Sequence, residues 1–216
     1  MTEARTVYWT RFPARAMTGA DWSDPWAAHR SVMRLFPQQL PGPESERRSQ
    51  AGILYRVDVV NSEPVVLVQS LIPPELLPAG ARTLEFDPLA WRLNVGTQVV
   101  FRVAYNPVVR NSVKDTDATR VRITERALLP DQSEEWLMAK LSRSLQDIVV
   151  LNTRRTILPQ KDSRKRQSSA PPRLTVDVTD ASAVVADAQA FTDLRTHGLG
   201  RAKSYGCGLL TAQPMS

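Results

Sequence analysis

Apolar residues along this chain come in short bursts, and the spacing within each burst predicts the element it forms. "RTVYWTRF" (5–12) is dense in aromatic and β-branched side chains and predicts a strand. "DPWAAHRSVMRLF" (24–36) changes period: Ala28, Val32 and Leu35 recur at helical spacing, and Trp26, His29 and Met33 form a second face beside them. Asp24 can cap the free amides of that helix, and Pro25 sits where a missing N–H costs nothing. After a loop (37–50), "GILYRVDVV" (52–60) and "PVVLVQSLI" (64–72) predict two strands joined by a turn at Asn61, Ser62 and Glu63. A weak helix or turn near Glu75 and a last strand at 82–86 complete the order β-α-β-β-(α)-β.

The pattern then restarts. "TQVVFRVAYNP" (97–107) predicts a strand ended by Asn-Pro, and the polar stretch 111–119 predicts a loop. "DQSEEWLMAKLSRSLQDI" (131–148) predicts a helix with Leu137, Leu141, Leu145 and Ile148 on its apolar face and Trp136 beside them. Residues 160–173 are basic, then rich in Ser and Pro, and predict a loop. "RLTVDV" (173–178) predicts a strand. Residues 180–198 predict a helix capped by Asp180, with Val184, Ala188, Phe191 and Arg195 on one side and Gly198 as its stop. "GCGLLTAQP" (206–214) ends the chain as a short strand. Two such units predict an α+β fold of tandem ferredoxin-like, RRM-like domains, at 1–92 and 93–216, each a mostly antiparallel sheet with helices on one face. That architecture hosts many functions, so activity has to be sought in side chains.

Charge narrows the partner. The 216 residues carry 28 Lys and Arg against 22 Asp and Glu, a net +6, and Arg far outnumbers Lys. Guanidinium groups suit bidentate phosphate contacts, so the balance favours an anionic partner; a merely basic soluble protein is the alternative. One cysteine, Cys207, and two histidines, His29 and His197, leave too few ligands for a structural zinc cage and none for an internal disulfide. No apolar run reaches the length of a membrane span, and "MTEARTVYWTRF" lacks the apolar core of a signal peptide. The expectation is a cytoplasmic protein.

The densest signal is "GLGRAKSYGCGLL" (198–210), with four glycines and two cations in thirteen residues. Glycines at 198, 200, 206 and 208 allow positive φ and close approach of a ligand, and free amides there can form an anion nest flanked by Arg201 and Lys203. A helix cap, a turn and a tight strand crossing would use the same glycines. The block is not a Walker loop, having no Gly-Lys-Ser/Thr, and not a dinucleotide fingerprint, since its glycines follow a helix and precede a strand.

"GLGRAKSYGCGLLTAQP" resembles the C-terminal glycine-rich signature of the Cas6e (CasE, Cse3) family of CRISPR RNA-processing endoribonucleases. "DPWAAHRSVMRLFP" is similar to that family's N-terminal helix with its catalytic histidine, "PVVLVQS" to the next-to-last strand of its first domain, and "FRVAYNP" to its Phe-Arg-x-x-x-Asn-Pro strand. The resemblance covers nearly the whole chain. It implies a metal-independent, cofactor-free endoribonuclease that binds the repeat hairpin of a CRISPR precursor RNA. Cleavage falls at the 3′ base of the stem, by attack of the adjacent 2′-hydroxyl, leaving a 2′,3′-cyclic phosphate and a 5′-hydroxyl. The protein, a monomer when free, then retains the crRNA and joins the other Cascade subunits. A non-cleaving hairpin-binding subunit of a ribonucleoprotein is the alternative.

Such a cleavage needs one proton removed and another delivered, and histidine suits either task near neutral pH. By family position the catalytic histidine is His29; His197 is expected to close a helix end. Where the family often has a tyrosine one turn before the histidine, this chain has Trp26, whose indole has no acidic hydroxyl. Trp26 could hold His29 or stack on a nucleotide, and Arg30, Lys203 and Lys161 are candidates for stabilising the charged phosphate. The usual second arginine of the Asn-Pro strand is also missing, with Ala104 and Tyr105 in its place. RNA-backbone contacts are expected from Arg102, Arg110, Lys161, Arg164, Lys165 and Arg166, together with Gly198, Gly200, Arg201, Lys203, Ser204, Gly206 and Gly208. The thin basic loop 161–166 could enter the narrow major groove of an RNA duplex. Cys207 is expected to be buried and inert.

Overall fold

The structure is a computed structural model and describes residues 6–40, 50–87, 91–114, 121–159 and 173–215. Two four-stranded antiparallel sheets organise the chain. The first contains β1 (Val7–Pro13), β2 (Leu54–Val60), β3 (Glu63–Ser70) and β4 (Arg82–Phe86) in the order β2-β3-β1-β4. Helix α1 (Pro25–Met33) connects β1 to β2. The second sheet contains β5 (Gln98–Tyr105), β8 (Leu145–Pro159), β9 (Arg173–Val185) and β10 (Leu210–Pro214) in the order β10-β5-β9-β8. Its helices are α2 (Pro130–Leu141), before β8, and α3 (Ala188–His197), between β9 and β10. Between β5 and α2 lies a two-stranded hairpin of β6 (Val108–Lys114) and β7 (Val121–Ala127). Numbered within each unit, both sheets run 4-1-3-2, and the protein is a tandem ferredoxin-like fold.

Each sheet buries one face under its helices. Phe12, Tyr55, Val66 and Val68 pack against Ala28 and Val32 of α1 and Leu35 just past its end, the predicted inner face. In the second unit Val99, Phe101, Val103 and Tyr105 alternate inward along β5 and meet Leu137 and Leu141 of α2 and Phe191 of α3.

Several sequence expectations are corrected. The stretch 111–119, read as loop, belongs through Lys114 to β6, which pairs in register with β7 from Val108↔Ala127 to Lys114↔Val121. The helix expected over 131–148 ends at Leu141, where Ser144 returns its amide and hydroxyl to the Leu141 carbonyl at 2.8 and 3.0 Å. Leu145 therefore fills the core from a strand, because the following run of Ile148, Val149, Val150 and Leu151 favours β structure, and Leu145, Gln146, Val149 and Val150 pair with β9 across a register shift. The helix expected from Asp180 begins only at Ala188 and is capped by Asp187, whose carboxylate accepts from the Ala190 amide at 2.9 Å. Asp180 instead sits mid-strand, because β9 continues to Val185 with Ala181, Ala183 and Val185 buried at alternate positions. Of the weak helix or turn expected near Glu75, the structure shows no helix but bends at 75–76 and a turn at 79–80; the Glu75 amide donates to the Leu35 carbonyl at 2.7 Å, tying this segment to the chain just past α1.

The two units are joined by buried polar groups. Arg56 on β2, 4% exposed, donates to the carbonyls of Arg102 and Leu209 and to Thr211 Oγ1, each at 3.0 Å, and forms a two-point pair with Asp58. Gln69 on β3, fully buried, donates to the Arg195 and Thr196 carbonyls at 2.9 and 3.0 Å.

Candidate functional site

Helix α1 presents the first half of the site. Asp24 accepts from the Trp26 amide at 2.9 Å and Pro25 occupies the first turn, as the sequence implies. With Ala28 and Val32 turned into the core, Trp26 and His29 lie half-buried on the helix flank and Arg30 is exposed. Trp26 and His29 are three residues apart and so neighbour each other on one side of the helix. The Trp26 indole nitrogen is buried with no hydrogen-bond partner among the described residues.

The glycine block supplies the second half, starting from the end of α3. The last four carbonyls of a helix have no partner within it. Here all four are satisfied: Leu194 by the Gly198 amide at 2.8 Å, Arg195 and Thr196 by Gln69, and His197 by the Lys203 ammonium at 2.7 Å. Gly198, at φ 77°, turns the chain sharply; a Cβ there would meet Leu54 Cδ1 at 2.8 Å and the Gly208 carbonyl at 2.9 Å. The chain then runs out and back, with the Leu199 amide bonded to the Gly208 carbonyl and the Gly208 amide to the Ala104 carbonyl on β5. At its tip a single 3-10 turn, Lys203–Tyr205, is bracketed by Ala202 (φ 56°) and Gly206 (φ 83°), both left-handed. Tyr55 of the first sheet holds that turn by donating to the Ser204 carbonyl at 3.3 Å.

The tip lies on α1. Tyr205 meets Trp26 edge-on, with ring centroids 5.5 Å apart and planes at 65°. The structure thus brings the helix that carries Trp26 and His29 against the turn that carries Lys203, Ser204 and Tyr205, with Arg201 and the glycines in the flanking chain. Lys203 has a double place, as a cation at the rim and as the closing donor of α3. The amides of Gly198 and Gly208 are committed within the fold, whereas those of Gly200 and Arg201 have no acceptor among the described residues. Arg201 also approaches the β6–β7 hairpin: its Nη1 is 3.9 Å from Glu125 Oε1, the oxygen that accepts from Arg110 Nε at 2.5 Å. One exposed carboxylate between two guanidinium groups leaves an uncompensated positive charge at this edge.

Arg102 is not part of that cluster. It alternates with the buried Phe101 and Val103 and so faces the helix-free side of its sheet. There it chelates Asp180 at 2.6 and 2.8 Å, lies 3.6 Å from Asp58, and lines a cleft of about 460 Å³ with Trp9, Arg56, Thr211 and Gln213. The hydrogen bond to Asp180 raises its pKa above the ordinary arginine value against the opposing effect of burial. His197 is exposed at the end of α3, with Nδ1 2.9 Å from the Asp193 carbonyl. Cys207 is fully buried, and burial pushes its thiol up to about 12, so it is no nucleophile at neutral pH. Lys161, Arg164, Lys165 and Arg166 lie outside the described residues. Sequence reasoning missed Gln69, Tyr55, Glu125 and Tyr205. Of these only Tyr205 carried a signal, as the one aromatic residue inside the glycine block.

The family described as CRISPR associated protein matches residues 8–214. The chain belongs to it, within its Cas6e (CasE, Cse3) branch. A CRISPR system Cascade subunit CasE of Escherichia coli K12 is 28% identical to this Cas6e-family chain over 203 residues, covering 90% of this chain and 94% of that one. Among solved structures, the CRISPR endoribonuclease Cse3 bound to a 19-nucleotide RNA superposes with a TM-score of 0.68 at 23% identity, over 97% of this chain and 100% of that one. The crystal structure of Cas6e from Escherichia coli K-12 superposes at 0.65 and 23%, with the same coverage. At such identity these two structures establish the shared fold.

Proposed function

We propose that this Cas6e-family protein binds the repeat hairpin of a CRISPR precursor transcript and cuts it at the 3′ base of the stem. One observation carries the reading: Trp26, one turn from His29 on α1, meets Tyr205 at the basic tip of the glycine block, which supports a proton-handling group and a phosphate-binding surface lying near each other. Cationic Arg201, Lys203 and Arg110 fit an RNA backbone. His29 handles a proton while the 2′-hydroxyl attacks the neighbouring phosphorus, and the cations stabilise the charge that develops. No metal or cofactor enters this scheme. Relatives named as a Cascade subunit and as an RNA-bound endoribonuclease support the partners: the hairpin, the crRNA product, and the other Cascade subunits in the cytoplasm. The free chain is a monomer, with units at 1–92 and 93–216.

The test is cleavage of the cognate repeat hairpin by the purified chain in excess EDTA. The expected result is a single cut at the stem base, with a 2′,3′-cyclic phosphate on the upstream fragment, and none in a hairpin with one 2′-deoxyribose at the scissile position. Cutting of the deoxy hairpin, or activity lost to EDTA and restored by a divalent ion, overturns the mechanism. Trp26, standing where the family often has tyrosine, favours a second reading, a subunit that binds without cutting; tight binding with an intact hairpin would establish it.

A further inference from the structure

We infer that Tyr205 is the second proton-handling group of the site, delivering the phenolic proton to the departing 5′-oxygen. The inference rests on the proposed cleavage. Attack by a 2′-hydroxyl displaces a 5′-alkoxide, a poor leaving group that has to be protonated as it leaves, so one histidine acting as base is half of the machinery. Around α1 the indole of Trp26 is not acidic, and the ammonium of Lys203, which gives one N–H to the His197 carbonyl, stabilises the phosphate charge in the proposed cleavage.

Tyr205 has the required position and chemistry. Its ring lies edge-on to Trp26, one helical turn from His29, and is half-buried, with its backbone amide fixed by the Ala202 carbonyl at 2.8 Å. Its hydroxyl has no hydrogen-bond partner among the described residues, although the ring also packs against the buried cluster around Cys207. The turn that delivers it contains Ala202 in a left-handed conformation, unusual for a residue with a Cβ. It is also tied to the first sheet through Tyr55. Such local strain, held by surrounding contacts, is common where side-chain placement serves a function.

The step balances. His29 takes the proton of the 2′-hydroxyl and the 2′-oxygen bonds to phosphorus. The bond from phosphorus to the 5′-oxygen breaks, and the Tyr205 proton passes to that oxygen. Solvent then reprotonates the phenolate and deprotonates His29.

The test is single-turnover cleavage by the full chain, wild type and Tyr205→Phe, on two hairpins. One is the all-oxygen RNA; the other carries sulfur in place of the bridging 5′-oxygen at the scissile phosphate, since a thiolate leaves without a proton. Tyr205→Phe keeps the ring against Trp26, so melting temperature and hairpin affinity should match wild type. Its rate on the oxygen substrate should fall about 10²-fold, and on the sulfur substrate it should come within about threefold of wild type. His29→Ala, having lost the base, should remain slow on both. Equal rates for Tyr205→Phe and wild type on oxygen overturn the inference and leave the cleavage reading standing. An equal deficit on both substrates reduces Tyr205 to a positioning residue and likewise overturns it. A wild type that cuts neither substrate overturns the cleavage reading itself, and this inference with it.

Discussion

The two halves of this protein share a strand order and differ in what they attach to it. In the first half the proposed proton-handling side chain, His29, sits on the crossover helix, where Asp24 and Pro25 set the start of α1 and its inner face packs on the sheet. In the second half the corresponding helix, α2, gives Leu137 and Leu141 to the core with Trp136 beside them, and the candidate phosphate-binding residues lie on the connection between α3 and β10. That connection does not close tightly. It leaves at Gly198, crosses to the other half and returns to β5 through the Gly208 amide. The same topology therefore supplies a rigid platform once and a reaching loop once, and the proposed site lies where the second meets the first, at Tyr205 and Trp26. Chemistry is expected from the α1 side, and hold on the RNA from the loop side.

Substitutions can separate these contributions. The largest effect is expected from His29→Ala, which should slow single-turnover cleavage by about 10²–10⁴-fold while a gel-shift assay shows unchanged hairpin affinity. A comparable loss of affinity would mean that the helix also holds the RNA. Next comes the bond between the halves. Arg56→Ala strips a buried cation from Asp58, Thr211 and two carbonyls and should cost roughly 3–5 kcal/mol in urea unfolding. An undiminished stability would show that the units are held together by other contacts.

Gly206→Ala places a Cβ 3.3 Å from the Tyr55 ring at a φ of 83°, and should cost about 1–2 kcal/mol of stability, together with cleavage rate as the tip moves from α1. A melting curve and a rate on the same preparation check it. The smallest effect on any single number is expected from Arg164, Lys165 and Arg166 changed together to Ala. The fold should be untouched, while the slope of log affinity against log salt should flatten by about 0.7–0.9 for each phosphate that the loop no longer neutralises. An unchanged slope across a salt titration would confine RNA holding to the Arg110–Arg201 edge.

Much of the fold was legible because it is written in short-range pattern. The strands around Trp9, Val57 and Val68, the Asp24 cap and the inner face of α1 follow from alternation, helical spacing and one carboxylate beside a proline. Reading failed where two patterns overlapped. Leu137, Leu141 and Leu145 keep helical spacing across a boundary, so the end of α2 at Leu141 was hidden until β9 offered a partner to the strand beyond it. Asp180 looks like a helix cap locally, but an arginine on the neighbouring strand claims its carboxylate. The hairpin of β6 and β7 was masked by its polar surface, since sheet pairing through the backbone does not need apolar side chains on both faces.

The site divides in the same way. The sequence by itself determined that His29 rides on a capped helix beside Trp26, that positive charge is in excess, and that the block from Gly198 to Gly208 must bend the backbone in ways a β-carbon resists. Only the tertiary structure decided that Tyr205 rests on Trp26, that Lys203 closes the end of α3, that Gln69 caps the same helix from the other half, and that Arg102 faces away from all of them. Propensity, capping and period act over a few residues, and so can be read along the chain. The contact between residues 26 and 205 exists because burial of two separate cores and the Arg56 and Gln69 bonds outweigh the entropy of closing the long chain between them, a balance with no local signature.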